Sequence, residues 1–87
     1  MKKERFSPFI KHDERLRLAY NIRKHGFYVR LHAYEYIVGD RTRFVAIVLL
    51  EPFLGRAMVK IINNGENLNK IISSIKSIDS KINIEII

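Results

Sequence analysis

The sequence predicts a small α+β domain in which two helices pack on one face of a mostly antiparallel sheet. Three observations lead to this prediction: helical spacing of apolar residues over 13–25, alternating segments between 27 and 62, and a stronger helical stripe after residue 65. The predicted order is α-β-β-β-α-β. With 87 residues, of which 47% are hydrophobic, the chain is expected to form one domain around one modest core.

The first part of the chain is predicted to be an arm followed by a helix. Residues 1–11 are interpreted as a basic, partly flexible arm that precedes the domain at 12–87, and Pro8 disfavours a regular helix in the arm. The helix is expected to begin at Asp13, whose carboxylate suits the positive end of the helix dipole. Gly26 is placed to end it.

Three alternating segments are predicted to be strands after this helix, and a fourth strand closes the chain. Their approximate ranges are 27–38, 43–51, 56–62 and 82–87. In the first segment, aromatic and cationic side chains alternate with apolar ones, so the two groups point to opposite faces. The aromatic and cationic group is Tyr28, Arg30, His32, Tyr34 and Tyr36. This group is expected to stay on the open face, while the apolar group meets the helices.

A tight turn at Gly39–Asp40 is expected to join the first two strands, with the glycine supplying a positive φ. Residues that lie directly opposite each other on paired strands point to the same face. If the turn contains an even number of residues, the open face therefore continues onto the neighbouring strands. The added residues are Arg43, Val45, Ile47, Leu49, Arg56, Met58 and Lys60. The same register puts Phe44 and Glu35 on the helix-covered face, where Glu35 either pairs with a helix arginine such as Arg15 or marks a bulge.

The second helix has the clearest pattern in the chain. One apolar stripe runs along it over nearly three turns. The stripe consists of Leu68, Ile71, Ile72, Ile75 and Ile78. Its opposite side carries serine, asparagine and lysine, so this helix is expected to stabilise the core and to present a nearly neutral outer surface.

The formal net charge of +7 is concentrated near the amino terminus. Residues 1–30 contain nine lysines and arginines against three acidic residues, whereas residues 61–87 are balanced. Such asymmetry is typical of a protein that contacts a polyanion. Flat rings beside guanidinium groups also suit stacking on bases and holding phosphates. The sequence therefore predicts non-enzymatic binding of nucleic acid, either RNA or DNA.

The candidate nucleic-acid contacts fall into two groups. The basic arm and the first helix supply cations for phosphate, and the open sheet face supplies rings and further cations. The first group is Arg15, Arg17, Arg23 and Lys24. The second group is Tyr28, Arg30, Tyr34, Tyr36, Arg43, Arg56 and Lys60.

A protein-interaction module is the alternative that the open face also supports. Val45, Ile47 and Leu49 add aliphatic surface to this face, and a contiguous apolar patch on a small domain usually marks an interface. Tyrosines are common at such interfaces as well. A homodimer through the sheet, as in a viral or plasmid accessory factor, is therefore an open alternative and is compatible with nucleic-acid binding.

Several classes of function have no support in the sequence. There is no cysteine, and the three histidines lie at no metal-binding spacing, so neither a metal nor a cofactor is expected. The glycines are isolated, which argues against a phosphate-binding loop. No apolar run approaches the roughly 20 residues that span a bilayer. No long apolar segment follows the basic start, so a secretory signal is not expected. A cytoplasmic protein is expected, and abundant isoleucine and lysine hint at a thermophilic source.

A second alternative comes from a local resemblance. The stretch Lys24-His25-Gly26-Phe27, with His32 five residues on, resembles HicA-type toxins, in which a strand histidine cuts mRNA. The resemblance implies a small ribonuclease that uses His32. The glycine-serine lead-in to that histidine is absent, because Arg30-Leu31 stands in its place.

The order of elements is also similar to restriction-endonuclease-like nucleases and to double-stranded-RNA-binding domains. The nucleases use a Glu-x-Lys pair to hold a metal, but here Glu51 is followed by Pro52 and Phe53. The RNA-binding domains carry a lysine cluster where this chain has Asn64-Gly65-Glu66-Asn67. No family is assigned on these grounds.

Overall fold

The computed structural model describes residues 6–63 and 65–87. It confirms the α+β class, the mostly antiparallel sheet and the packing of the helices against that sheet. The principal elements are α1 (His12–Arg23), β1 (Tyr28–His32), β2 (Glu35–Gly39), β3 (Phe44–Glu51), β4 (Arg56–Ile61), α2 (Leu68–Ile78) and β5 (Asn83–Ile86). None of the helices in the described ranges is long and apolar enough to cross a membrane.

The sheet has five strands in the order β1-β2-β3-β4-β5. The first four form an antiparallel meander, and β5 returns parallel to β4 after the α2 crossover. The core lies between the helices and one face of the sheet, where Leu18 and Ile22 of α1 and Ile71 and Ile75 of α2 are fully buried. Four residues of the predicted α2 stripe, Leu68, Ile71, Ile75 and Ile78, therefore pack in or against the core, whereas Ile72 does not belong to it. The two helices contact each other on the same side of the sheet.

The first predicted strand is divided in two by a turn at residues 33–34. Ala33 has φ 57°, and the chain reverses so that His32 pairs with Glu35. Because the alternation of faces restarts after the reversal, Tyr36 points into the core and Glu35 lies exposed beside His32 on the open face. The predicted faces of Tyr36 and Glu35 are therefore wrong.

A bulge shifts the register between β2 and β3. Val38 pairs with Ala46, but Gly39 pairs with Phe44, so Val45 is the extra residue on β3. Val45 is buried and Phe44 is 61% exposed, which reverses the predicted placement of both side chains. The turn that follows is closed by Asp40 and Arg43, and Gly39 does not have a positive φ.

The described part of the predicted arm packs onto the domain. A short 3-10 helix, Pro8–Ile10, buries Phe9 completely, and the Ser7 hydroxyl accepts a hydrogen bond from the Phe9 backbone N–H. The predicted contribution of the arm cations Lys2, Lys3 and Arg5 lies outside the described residues.

Candidate nucleic-acid interface

A cleft of about 510 Å³ opens at one end of the sheet, where β1 begins, β2 ends and β3 begins. Its walls come from these strand ends, from the end of α1 and from the turn at residues 40–43. Three aromatic residues and four arginines line it. They are Phe27, Tyr28, Phe44, Arg23, Arg30, Arg41 and Arg43. The cleft therefore combines apolar ring surface with a high density of positive charge.

Two exposed rings and a glycine form one cross-strand row in this cleft. Tyr28 on β1 pairs with Gly39 on β2, and Gly39 pairs with Phe44 on β3. Tyr28 is 66% exposed and Phe44 is 61% exposed, while Gly39 is buried. The row thus has a ring on each side of a position without a side chain.

Arg23 is held at the outer wall of the cleft by a hydrogen bond. It is the last residue of α1, and its Nη2 donates to the Val29 carbonyl oxygen on β1 at 2.8 Å. A guanidinium has five N–H groups in a planar fork, so this bond leaves donors that face the cleft or solvent. The helix end and the strand together preorganise this cation.

The turn at residues 40–43 is organised by the Asp40 carboxylate. Its Oδ1 accepts hydrogen bonds from the Thr42 backbone N–H at 2.9 Å, the Arg43 backbone N–H at 3.0 Å and the Thr42 hydroxyl at 3.2 Å. The hydrogen bond from the Thr42 backbone N–H is the main reason that the pKa of Asp40 lies below its usual value. The carboxylate therefore fixes the backbone of Arg41 and Arg43, two of the cleft cations.

Charge is unevenly distributed along the open face. Asp40 is the one acidic residue in the described lining of the cleft, against four arginines. At the opposite ends of the strands, Arg56 forms an ion pair with Glu51 and approaches Glu85 at 3.7 Å. The hydrogen bond to Glu51 raises the pKa of Arg56. The open face thus has a cationic end at the cleft and an acidic end where its arginine is already paired.

The cleft brings together four of the residues predicted from the sequence: Arg23, Tyr28, Arg30 and Arg43. Lys60 is exposed on the same face, in a cross-strand row with Ile47, Ile37 and Arg30. Arg56 lies at the acidic end instead, away from this group.

The sequence reasoning missed two of the cleft rings, Phe27 and Phe44, which it placed on the core side, and one of the cleft arginines, Arg41. Arg41 stands in a turn, where neither strand alternation nor helical spacing assigns a face. The signal that was available is the run Arg41-Thr42-Arg43 after an aspartate that favours a turn.

Three predicted contacts prove to be structural parts of the domain. The Arg15 guanidinium is buried, donates from Nη1 to the Phe9 and Ile10 carbonyl oxygens at 2.8 Å, and lies 4.2 Å from the Tyr34 ring centroid. The Tyr36 hydroxyl donates to the Arg15 carbonyl oxygen at 2.7 Å. The predicted placement of Tyr36 on the open face is therefore wrong. Arg15, a predicted phosphate contact, is buried, and Tyr34 is half-buried against the core instead of lying open.

Arg17 and Lys24 lie on a different surface, in a groove of about 420 Å³ between the two helices. Arg17 pairs with Glu14 at 3.3 Å, and the Lys24 amine lies 5.4 Å from the Tyr20 ring centroid. These two cations are accessible but do not share the cleft with the sheet residues.

The candidate catalytic residue does not lie in the cleft. His32 is exposed at the end of β1 and is not part of the cleft lining. No group of three histidine, aspartate or glutamate side chains comes together among the described residues in a way that suits a metal ion.

No family model, curated protein or solved structure matches the chain. The fold and the site describe a small basic α+β domain with an arginine-lined aromatic cleft at one end of an open sheet. The chemistry of that cleft is the basis on which a function is assigned.

Proposed function

We propose that the protein binds nucleic acid, without catalysing a reaction on it, through the cleft and the adjoining open sheet face. The observation that carries the proposal is the presence of four arginines around two exposed rings in one cleft. Guanidinium groups bind phosphate oxygens in a planar, bidentate geometry, and aromatic rings stack on bases. A polyanion that also carries flat rings matches both components of the cleft.

The arrangement of the cleft cations supports this proposal further. Arg30 and Arg41 have no acidic partner among the described residues, so their charge is available to a ligand. Arg43 lies 3.8 Å from Asp40, a long exposed contact that holds the arginine only weakly. The acidic residues at the far end of the open face repel phosphate, so the nucleic-acid strand is directed to the cleft.

A salt titration of binding tests the proposal. Fluorescently labelled RNA and DNA oligonucleotides are titrated with protein at several salt concentrations, and anisotropy gives Kd. A contact driven by phosphate loses affinity steeply as salt rises, with a slope proportional to the number of phosphates neutralised. The variant Arg30→Ala/Arg41→Ala should weaken binding and flatten the slope by about two phosphate contacts.

The matched control is Arg17→Ala/Lys24→Ala, which removes two charges from the groove between the helices. We expect it to bind nearly as well as the unchanged protein. If the control loses as much affinity as the cleft variant, the cations act only through net charge and the cleft is not the site. If no oligonucleotide binds at low salt, the proposed function is wrong.

A homodimer through the open face is the second candidate, and two features favour it. The centre of this face is a contiguous apolar group, made of Ile37, Ile47, Leu49 and Met58. The ends of the face carry opposite charge. Two copies can pack open face to open face with their strands running in opposite directions. The cationic end of one protomer then lies against the acidic end of the other.

Replacing Ile47 with glutamate tests the dimer. Sedimentation equilibrium should give a dimer mass for the unchanged protein and a monomer mass for Ile47→Glu, because the substitution puts a charge at the centre of the apolar group. Ser73→Glu adds the same charge on the exposed side of α2 and serves as the control. A monomer mass for the unchanged protein at high concentration would rule this candidate out.

A further inference from the structure

We propose that the row Tyr28–Gly39–Phe44 is a slot for one unpaired base, so that the protein selects single-stranded over double-stranded nucleic acid. This inference rests on the proposed function and adds to it the form of the ligand. It is carried by the position of the two rings, by the glycine between them and by the cations around them.

The spacing of the row suits a base between the rings. Tyr28 and Phe44 lie on strands separated by one other strand, so their Cα atoms are about 10 Å apart. Two stacking contacts in series, each with centroids at least about 4.5 Å apart, need a similar distance of about 9 Å between the outer rings. The Cα separation of the row therefore matches the spacing that one base between two rings needs.

Gly39 places no side chain between the two rings, and its own backbone is buried beneath the row. Any other residue at this position of β2 would project its side chain between the two flanking residues of the row. The glycine also has a local reason: a Cβ atom there would lie 3.1 Å from the Arg43 carbonyl oxygen in the turn. Both the tight turn and the proposed slot therefore require glycine at position 39.

The two rings remain available because they do not pack on each other. Among the described residues, the ring contact that the structure contains joins Phe6 to Phe53, at a centroid distance of 6.1 Å. Tyr28 and Phe44 each leave more than half of their surface exposed. Phe6, Tyr20 and Phe53 are similarly exposed. Tyr28 and Phe44 differ from them because they flank one position without a side chain inside the cleft, and this arrangement suits a flat ligand.

The cations flank the slot on both sides. Arg30 follows Tyr28 on β1, two positions along the same face, and Arg41 and Arg43 lie in the turn next to Phe44. A base in the slot therefore has guanidinium groups near the phosphates that precede and follow it. Bases in a duplex are already stacked on both faces and paired, so entering the slot would cost unstacking and unpairing energy.

The test compares one 12-nucleotide sequence as a single strand and as a duplex, with the full chain and three variants. Tyr28→Leu and Phe44→Leu keep an apolar side chain but remove the ring, and Tyr20→Leu does the same to an exposed tyrosine on α1. We expect the single strand to bind at least about tenfold more tightly than the duplex. Each slot variant should lower single-strand affinity by about fivefold to 100-fold, the loss expected for one base–aromatic stack.

A 2-aminopurine base in the oligonucleotide reports on stacking directly. Its fluorescence should fall on binding to the unchanged protein and to Tyr20→Leu, but much less on binding to the slot variants. The slot residues are exposed, so circular dichroism should show that every variant folds.

The outcomes separate this inference from the proposed function. Equal binding of single strand and duplex, with no loss in Tyr28→Leu or Phe44→Leu, overturns the slot but leaves arginine-driven nucleic-acid binding in place, provided that Arg30→Ala/Arg41→Ala still weakens it. Absence of binding to any oligonucleotide at low salt overturns both.

Discussion

The hydroxyl of Tyr36 donates a hydrogen bond of 2.7 Å to the backbone carbonyl oxygen of Arg15. The bond joins β2 to the first helix in the core, and the tyrosine is fully buried. Burial raises the pKa of Tyr36, so its hydroxyl stays protonated and remains a donor throughout the ordinary pH range. The side chain of Arg15 then connects the same helix to the amino-terminal segment.

Removing this hydroxyl should destabilise the domain with little effect on binding. Tyr36→Phe deletes a buried hydrogen bond, and we expect the free energy of unfolding to fall by about 1 kcal/mol. Urea denaturation measures the change. Tyr28→Phe, at an exposed position, is the control and should leave stability within experimental error. Equal stability of Tyr36→Phe and the unchanged protein would show that the hydrogen bond contributes nothing net.

Arg15 should contribute to stability and not to binding. Arg15→Ala removes the donors to the Phe9 and Ile10 carbonyl oxygens and the cation over the Tyr34 ring. The expected loss is about 2 kcal/mol of unfolding free energy. Limited proteolysis should cut the segment before α1 faster in this variant. Arg17→Ala, which removes an exposed arginine two positions away, should change neither property. Protection equal to that of the unchanged protein would contradict this role.

Two substitutions at Asp40 separate charge from organisation of the turn. Both Asp40→Asn and Asp40→Ala remove a negative charge from the cleft, but only asparagine keeps an oxygen that accepts from the Thr42 and Arg43 backbone N–H groups. Asp40→Asn should therefore bind nucleic acid at least as tightly as the unchanged protein. Asp40→Ala should bind several-fold more weakly than Asp40→Asn, because Arg41 and Arg43 lose their fixed backbone. Equal affinities would mean that the turn needs no side-chain acceptor.

The order of this turn should depend on acid pH. The pKa of Asp40 is depressed below its ordinary value of 3.8, so the charged form is favoured in the folded protein. Its contribution is fully present above the ordinary value and is lost as the pH falls through the lowered one. The backbone amide signals of Thr42 and Arg43 in NMR spectra should shift with a midpoint below 3.8. In Asp40→Asn this transition should be missing, and a midpoint above 3.8 in the unchanged protein would contradict the expectation.

The elements with strong periodicity were predictable, and the places where the backbone departs from a regular strand were not. The α2 stripe sets a helix by itself, because its apolar residues recur every three or four positions. The reversal at Ala33 contains no glycine, proline or asparagine, the residues that usually indicate a turn. Alanine also seldom adopts a positive φ. No residue pattern in the sequence indicates the bulge at Val45 either.

In the candidate site, too, residues on regular strands were predictable and residues in or after turns were not. Tyr28 and Arg30 precede the reversal, so strand alternation placed them on the open face correctly. Tyr36 follows it and was therefore assigned to the wrong face. Arg41 belongs to a turn whose shape is set by hydrogen bonds to the Asp40 carboxylate. Neither helical nor strand periodicity in the sequence predicts the shape of such a turn.

The hydrogen bond between Arg23 and Val29 also has a consequence for the exposed edge of the sheet. β1 is one of the two edge strands of the sheet, and edge strands attract further strands through their unpaired backbone groups. The guanidinium occupies the Val29 carbonyl oxygen that an added strand would use. If a phosphate draws Arg23 away, that carbonyl oxygen loses its partner, and we expect the β1 edge to become open to pairing with another strand.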